Sequence, residues 1–568
     1  MTNNLKDQIK EIINGDILEN NLEDYAVDKS IFKIKPQIVI FPKNEEDIKN
    51  LVIFAKENNL YLTPRSAGTD MSGGALTDSI LLVFTKYFNQ IIEINPQKKY
   101  VIVRPGVYFR DLEKELNKFN LFLPSYPASK EICAVGGMVG NDSGGEKTIK
   151  YGKTHDYVIG LNVILSDGHE YYFEKVSGEK LQAKLSQPNF EGEIYRQIYK
   201  LLKENYELIQ KSKPKVSKNS AGYNIWDAYG RTQMDMDDEN ENGSEYIRDD
   251  SQENSRQFAN NEWLDLTKLF VGSQGTLGII TKIKFSLINQ PLKNKLAVIF
   301  LKSFKQINEI LDNLLQLQPE SLEITDDHTF KIFLKYSKEM SQILGIKGLV
   351  NNIRLFLPEI KLIIKNGLPK LIVLIEFADE ENKINNKLDQ LKNLAKNKKL
   401  NLIICQTDIE KEKYWKLRRD TYKLLREKIK DKIAAPFIDD LIVNPHSFSE
   451  FLPKLISILD KYQFLYTISG HLGDGNLHII PLLDFQKEKD KILPAMEEIY
   501  DLTLSYQGSI TAEHNDGLIR GWYLEKMFGQ EIFSIFQAIK KIFDPDNIFN
   551  QHKKIQATKD YSFSHLLD

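Results

Sequence analysis

Two histidines sit seven residues apart in Gly470-His471-Leu472-Gly473-Asp474-Gly475-Asn476-Leu477-His478, and Glu513-His514-Asn515-Asp516-Gly517 follows thirty-five residues after His478. Two imidazoles and one carboxylate make a donor set for a divalent metal that leaves positions open for a substrate. The Gly-Asp-Gly-Asn turn is flanked by Thr467-Ile468 on one side and by Leu477 to Ile479 on the other, which reads as a hairpin. A hairpin sets the two imidazoles close together at the end of a sheet. Hydrogen-bonded core histidines beside a turn account for the same residues equally well, and chemistry alone does not choose between the two.

Three glycine-rich clusters form a second constellation. They are Pro64-Arg65-Ser66-Ala67-Gly68-Thr69-Asp70-Met71-Ser72-Gly73-Gly74, Gly136 to Gly145 (GGMVGNDSGG) and Val271 to Thr281 (VGSQGTLGIIT). Glycine admits positive φ and lets a ligand come close to the backbone. Successive N–H groups in such turns form nests for anionic oxygens. None of the three is a dinucleotide G-x-G-x-x-G or a Walker A loop. Tight turns explain any one of them. Three in one region, each after a β-like run and rich in hydroxyls, favour an extended ligand that carries phosphate.

The elements that must position these residues follow from patterning. Residues 1–35 are polar with weak helical periodicity and read as a helical arm. From Pro36, PQIVIF reads as a strand. Ile48, Leu51, Val52 and Ala55 then recur at helical spacing, and a second strand runs into the first glycine loop. Mixed α and β patterning continues to about residue 290. Between Met234 and Arg256 there are nine acids and two arginines, so a disordered insertion is expected at about 230–258. After Pro291, LAVIFL, LIVLIEF and NLIICQ read as strands. FKQINEILDNLL, INNKLDQLKNLAK and YWKLRRDTYKLLREKI read as helices. This is a second α+β domain, expected over 291–555, with a tail at 556–568.

Composition narrows the function classes. Lys+Arg total 76 against 79 Asp+Glu, a net charge of −3, so no field argues for nucleic acid. Cys133 and Cys405 are the only cysteines in the chain, too few for a disulfide scaffold, a zinc ribbon or a protein-ligated iron–sulfur cluster. No apolar run approaches the ~18 residues of a membrane span. The opening MTNNLKDQIKEIING lacks a signal-peptide core. A cytoplasmic location is expected, with peripheral contact at the inner face of the membrane left open.

PRSAGTDMSGGA, RPGV, PASKEICAVGGMVGNDSGG, YGKTHDYVIGLNVILSDG and LFVGSQGTLGIIT resemble successive blocks of the FAD-binding domain of the vanillyl-alcohol oxidase/PCMH superfamily. The branch resembled is that of FAD-linked D-lactate and D-2-hydroxyglutarate dehydrogenases, the glycolate-oxidase-subunit-D type, and the likeness runs in order from about Pro36 to Gln551. It implies an α+β fold. A two-lobed PCMH-type FAD-binding domain over 36–290 would be joined to an α+β cap whose antiparallel sheet is covered by helices. It also implies cofactor contacts at Arg65, Ser66, Ala67, Gly68, Thr69, Ser72, Pro127, Ser129, Gly136, Gly137, Asn141, Gly144, Gly145 and Ile279. Some relatives attach flavin through a histidine in the first loop, which has none here, so non-covalent FAD is expected.

GHLGDGNLH and AEHNDG resemble the metal motifs of the same branch. The resemblance implies zinc or another divalent ion on His471, His478 and Glu513, His514 as general base and Asn476 as a substrate contact. Trp415-Lys416-Leu417-Arg418 is similar to a W-x-x-R block whose arginine grips the substrate carboxylate. The chain departs from the pattern at Gln274 and Arg419, where relatives often have Glu, and at Asn515, where many have Gly. The reaction implied is oxidation of a D-2-hydroxy acid (lactate, glycolate or 2-hydroxyglutarate class) to the 2-oxo acid, with hydride passing to flavin. Electrons would leave to a separate acceptor: an iron–sulfur protein, an electron-transfer flavoprotein or a quinone. A homodimer is compatible with this reading. Oxidation of another alcohol or sugar, and a flavin-binding partner subunit without catalysis, are the alternatives.

Overall fold

A computed structural model describes residues 2–231, 262–291, 293–335, 357, 359, 361–365, 367–428 and 432–567. The acidic stretch expected as a disordered insertion lies outside them.

The first sheet contains β1 (Asp16–Ile17), β2 (Ile38–Phe41), β3 (Leu62–Arg65) and β4 (Ile80–Val83), in the order β1-β2-β4-β3. β2 and β3 both run parallel to β4. Helix α2 (Glu45–Glu57) makes the crossover. It starts where Asn44 Oδ1 accepts from the Asp47 N–H at 3.0 Å. Its apolar stripe of Ile48, Leu51, Val52 and Ala55 is fully buried, as the helical spacing predicts. Helix α1 (Thr2–Ile12) adds Ile9 to the same core.

The second sheet is antiparallel: β5 (Ile91–Asn95), β6 (Tyr100–Val103), β7 (Val158–Ile164), β8 (Glu170–Phe173) and β9 (Ile279–Ser286), in the order β5-β6-β9-β7-β8. The glycine clusters lie at or between these elements. The first follows β3, the second spans α3 (Val135–Asn141), and the third leads into β9.

The last large sheet holds β10 (Lys293–Leu301), β11 (Ser321–Asp326), β12 (Leu371–Asp379), β13 (Asn401–Ile404), β14 (Ile433–Ala434), β15 (Leu441–Ile442), β16 (Leu465–His471) and β17 (Asn476–Leu483). Its order is β13-β10-β12-β11-β16-β17-β14, with β15 also paired to β17. Leu296–Leu301 of β10 and Leu371–Ile375 of β12 are continuous apolar runs because both of their faces are covered. Ala297, Ile299, Val373 and Ile375 pack into a core with α4 (Lys305–Gln316) and α6 (Phe448–Lys461). Leu296, Val298, Ile372 and Leu374 pack on the opposite side against Trp415 and Leu417 of α5 (Asp408–Lys428). Each fully buried aliphatic chain contributes about 1.5–3 kcal/mol, so this two-sided burial holds α5, and with it Arg418, on the sheet. Among the described residues no helix is long and apolar enough to cross a membrane.

Candidate active site

The site is built on the β16–β17 hairpin. His471 ends β16 and pairs in register with Asn476, while Ser469 pairs with His478. Residues of one parity share a face of a strand, so the register brings both imidazoles to the same place: His471 Nε2 and His478 Nε2 are 3.2 Å apart. Glu513 Oε1 stands 3.1 Å from the first and 3.4 Å from the second. Donors bound tetrahedrally at zinc distances of ~2.0–2.1 Å lie roughly 3.3 Å from one another. The spacing of the triangle is thus compatible with three donors to one divalent ion.

Each of the three side chains is fixed from behind. His471 Nδ1 lies 2.6 Å from Glu323 Oε1, and His478 Nδ1 lies 3.2 Å from Asp439 Oδ1. Glu513 Oε2 accepts from Lys218 Nζ at 3.0 Å, and Lys218 is also 3.3 Å from Asp474 Oδ2. Burial works against the Glu513 carboxylate, but Lys218 and His471 outweigh it and hold the acid well below the usual carboxylate range. Burial likewise disfavours a charged His471, yet the Glu323 carboxylate outweighs it and raises the imidazole.

Asp440 faces the same loop: one carboxylate oxygen each from Asp440 and Glu513 and one ring nitrogen each from His478 and His514 lie within 4.8 Å of one another. Asp440 is nevertheless committed. Its Oδ2 accepts from Thr511 Oγ1 at 2.6 Å and from the backbone N–H groups of Ala512, Glu513 and His514 at 2.8, 2.8 and 2.7 Å. It shapes the Glu513 loop, and the triangle of His471, His478 and Glu513 is the better metal donor set. His514 Nδ1 lies 2.7 Å from Asp439 Oδ2, off the axis of a hydrogen bond. Burial opposes charge on this imidazole too, but Asp440 and Asp439 raise it to about 9.

The three glycine clusters and the hairpin open onto one cavity of about 370 Å³, a size typical of small-molecule sites. Ser66, Ala67, Gly68, Thr69, Pro127 and Ser129 line it, as do Gly136, Gly137, Asn141 and Gly144. At the far end it meets Arg418, His478, Glu513 and His514. Gly68 has φ +66°, a turn that a side chain would strain. A Cβ on Gly137 would meet nothing nearer than 3.9 Å and would grow into the cavity. An extended cofactor with phosphate groups fits this cradle.

Four expected cofactor contacts are placed differently. Pro64 and Ser66 line the cavity while Arg65 between them points away, as strand alternation requires. The Arg65 guanidinium donates to the carbonyls of Tyr25 and Val27 at 3.2 and 2.9 Å. Ile279 is buried in the core of the first sheet, while Gly278 and Ile280 line the cavity. Gly145 is pressed against the Tyr126 carbonyl, where a Cβ would stand 2.3 Å away. Ser72 Oγ is used by Asp70 and Gln274. Asn476, expected as a substrate contact, is fully buried, is not among the residues that line the cavity, and donates to Asp440 Oδ1 and the Leu441 carbonyl at 3.2 and 3.1 Å.

The departures from the family pattern have structural explanations. Gln274 ties the loops together: its Nε2 donates to Ser72 Oγ and Asn141 Oδ1, and its Oε1 accepts from the Gly517 N–H. Asn515 adopts φ +69°, the left-handed conformation that favours glycine. Its amide donates to the Gly272 and Asn141 carbonyls at 2.8 and 3.2 Å, and its Oδ1 accepts from Lys554 at 2.6 Å. Arg419 donates twice to Glu146, once through Nε at 2.9 Å, and joins α5 to the loop after Gly145. Arg418 is buried and donates through Nε to Glu323 Oε2 at 2.8 Å.

Sequence reasoning missed Glu323, Asp439, Asp440 and Lys218. Glu323 lies within a strand, the Asp439-Asp440 pair precedes an apolar run like a turn, and Lys218 sits in a loop without periodicity. Nothing local marks any of them.

Residues 36–172 match the family described as FAD binding domain, and residues 290–553 match the one described as FAD linked oxidases, C-terminal domain. The D-2-hydroxyglutarate dehydrogenase of Escherichia coli (strain K12) is 25% identical over 93% of this chain and 49% of its own length. The chain thus spans about half the length of the first curated relatives it matches. The glycolate oxidase subunit GlcD of Bacillus subtilis is 25% identical, with 92% of this chain and 89% of that protein covered. The D-lactate dehydrogenase of Archaeoglobus fulgidus is 23% identical over 91% of each. Among solved structures, 4-ethylphenol oxidase from Gulosibacter chungangensis superposes with a TM-score of 0.66 at 16% identity over 98% of both chains. p-Cresol methylhydroxylase gives 0.64 at 15% identity over 98% of this chain and 97% of its own. These two establish a shared PCMH-type FAD-binding fold.

Proposed function

We propose that this chain, which belongs to the FAD-linked oxidases, oxidises a D-2-hydroxy acid to the corresponding 2-oxo acid. The observation that carries the reading is a single cavity. Its glycine loops fit an extended phosphate-bearing cofactor, and its far end joins Glu513 and His478 to Arg418 and His514. Relatives named for D-2-hydroxyglutarate, glycolate and D-lactate support the substrate class.

When bound, FAD supplies the hydride acceptor, and a divalent ion such as zinc supplies Lewis acidity that lowers the pKa of the substrate hydroxyl. His471, His478 and Glu513 would hold that ion. Arg418 grips the substrate carboxylate with the planar edge that Glu323 leaves free. His514 takes the hydroxyl proton at an imidazole nitrogen, and the Asp439 carboxylate stabilises the imidazolium that forms. To act as base His514 must start neutral, and the positive charge of a divalent ion held by His471, His478 and Glu513 would favour that form. Glu323, Asp439 and Asp440 keep these groups in place.

Non-covalent FAD is supported by the absence of histidine from the first loop. Cys133 also lines the cavity, but burial pushes its thiol up to about 12, far from a reactive thiolate. The electrons would leave to an iron–sulfur protein, an electron-transfer flavoprotein or a quinone.

The test is an anaerobic screen in which D- and L-2-hydroxy acids are offered to the FAD-loaded protein. The reading expects bleaching of the flavin by D-enantiomers, with little oxygen uptake in air. Bleaching by simple alcohols or sugars but by no 2-hydroxy acid would overturn it.

A further inference from the structure

Glu323 lies within β11 and is 1% exposed. A buried carboxylate is tolerated only when both oxygens are satisfied. Here they are divided between two different functions. Oε1 is 2.6 Å from Nδ1 of His471, and Oε2 accepts from Nε of Arg418 at 2.8 Å. The sheet register dictates the first contact, because Glu323 and His471 are direct partners across β11 and β16. The second comes from α5, which is packed on the same sheet through Trp415 and Leu417.

We propose that Glu323 is a positioning residue that sets the spacing between the metal-holding imidazole and the carboxylate-gripping guanidinium, so that the site measures the separation of hydroxyl and carboxylate in its substrate. The inference rests on the function proposed above and adds the source of selectivity for 2-hydroxy over 3-hydroxy acids. By accepting from Nδ1–H, Glu323 fixes the tautomer of His471 whose Nε2 lone pair faces His478 and Glu513. By occupying Nε of Arg418, it directs an anion to the two Nη nitrogens, the end-on face of the fork. One rigid carboxylate thus holds both recognition elements in a common frame. A buried ion pair with a purely structural role would hold its partners without linking the affinity of the metal to that of the anion.

The test uses the full-length, FAD-loaded protein with Glu323→Gln, which preserves shape, and Glu323→Asp, which shortens the bridge by one methylene. Three readouts are taken: flavin content, Co²⁺ binding by equilibrium dialysis with elemental analysis, and perturbation of the flavin spectrum by pyruvate and by acetoacetate. We expect Glu323→Gln to keep its flavin and to bind Co²⁺ about 10–100-fold more weakly. Pyruvate affinity should fall alongside it by about 10-fold, and the preference for the 2-oxo over the 3-oxo acid should shrink toward unity in both variants. At saturating Co²⁺, where the route through His471 is silent, Glu323→Gln in an Arg418→Lys background should cause little further loss of pyruvate affinity, because the remaining effect runs through the arginine. Unchanged Co²⁺ and pyruvate affinities, or a fall in only one of them, would overturn the inference while leaving the proposed function standing. Loss of flavin from both variants would show Glu323 to be structural and also overturn it. A wild-type protein that binds neither Co²⁺ nor pyruvate would bring down the proposed function and this inference together.

Discussion

His471 Nε2 and Glu513 Oε1 stand 3.1 Å apart although 42 residues separate them in the chain. The contact joins the end of a β-hairpin to a loop that Asp440 shapes through four hydrogen bonds to one carboxylate oxygen. Neither residue is held by its own element alone. The hairpin fixes the imidazoles, Asp440 fixes the carboxylate, and Lys218 keeps the second oxygen of Glu513 occupied. Three donors held this close would suit the proposed cation, and this has measurable consequences.

Replacing His471 with Ala removes one corner of the donor triangle and leaves the glycine loops untouched. The variant should retain its flavin, lose its bound divalent metal by elemental analysis, and reduce flavin with a D-2-hydroxy acid at least about 100-fold more slowly. Normal metal stoichiometry in this variant would refute the donor assignment.

Asn515 combines a left-handed backbone with bonds to two glycine-loop carbonyls and to Lys554. Asn515→Gly keeps the conformation and loses the bonds, whereas Asn515→Ala loses both. Both variants should melt below wild type and release FAD faster, with Ala the more damaging by about 1 kcal/mol. Equal melting temperatures for Gly and Ala would show that the backbone conformation carries no cost.

Much of this arrangement is legible in the sequence, and the reasons are local. The hairpin follows from apolar runs on both sides of Gly-Asp-Gly-Asn, and α2 follows from Ile48, Leu51, Val52 and Ala55. The glycine clusters mark the cavity because their chemistry is continuous along the chain. Orientation is harder to read. Arg65 and Ile279 belong to the correct loops but sit at strand positions of the wrong parity, so their side chains face away. The supporting groups are hardest of all. Glu323 acts through His471 and Arg418, 148 and 95 residues away, and Lys218 through Glu513, 295 residues away, and tertiary pairings over such separations leave no pattern in one sequence.

Arg419 and Glu146 pair across the junction between α5 and the second glycine cluster, with Glu146 buried. Arg419→Met leaves that carboxylate without its main partner and should cost about 2–3 kcal/mol, less than a fully buried pair because Arg419 is partly exposed. Adding Glu146→Gln should restore most of the loss in a double-mutant cycle of thermal unfolding. Strict additivity of the two changes would contradict the pairing.

Glu376 is buried near Glu146 and Glu320, and burial is the main cause that raises its carboxyl from the ordinary 4.5 to about 7. A folded-state value above the unfolded one means that the folded protein binds this proton more tightly. The stabilisation is therefore complete below about pH 4.5 and is lost as pH rises through about 7. Glu376→Gln should melt like wild type at the acid end and above it at pH 8, by on the order of 3 kcal/mol. A wild-type minus variant difference that is flat between these limits would contradict the assignment.

The most direct measurement of the central claim is anaerobic flavin reduction by D-2-hydroxy acids in matched samples, one metal-loaded and one stripped by chelator and verified by elemental analysis. The account predicts rapid bleaching with metal, loss of bleaching on stripping, and recovery when zinc or another divalent ion is restored. Equal bleaching in the two samples, or none in either across the whole panel, would contradict it.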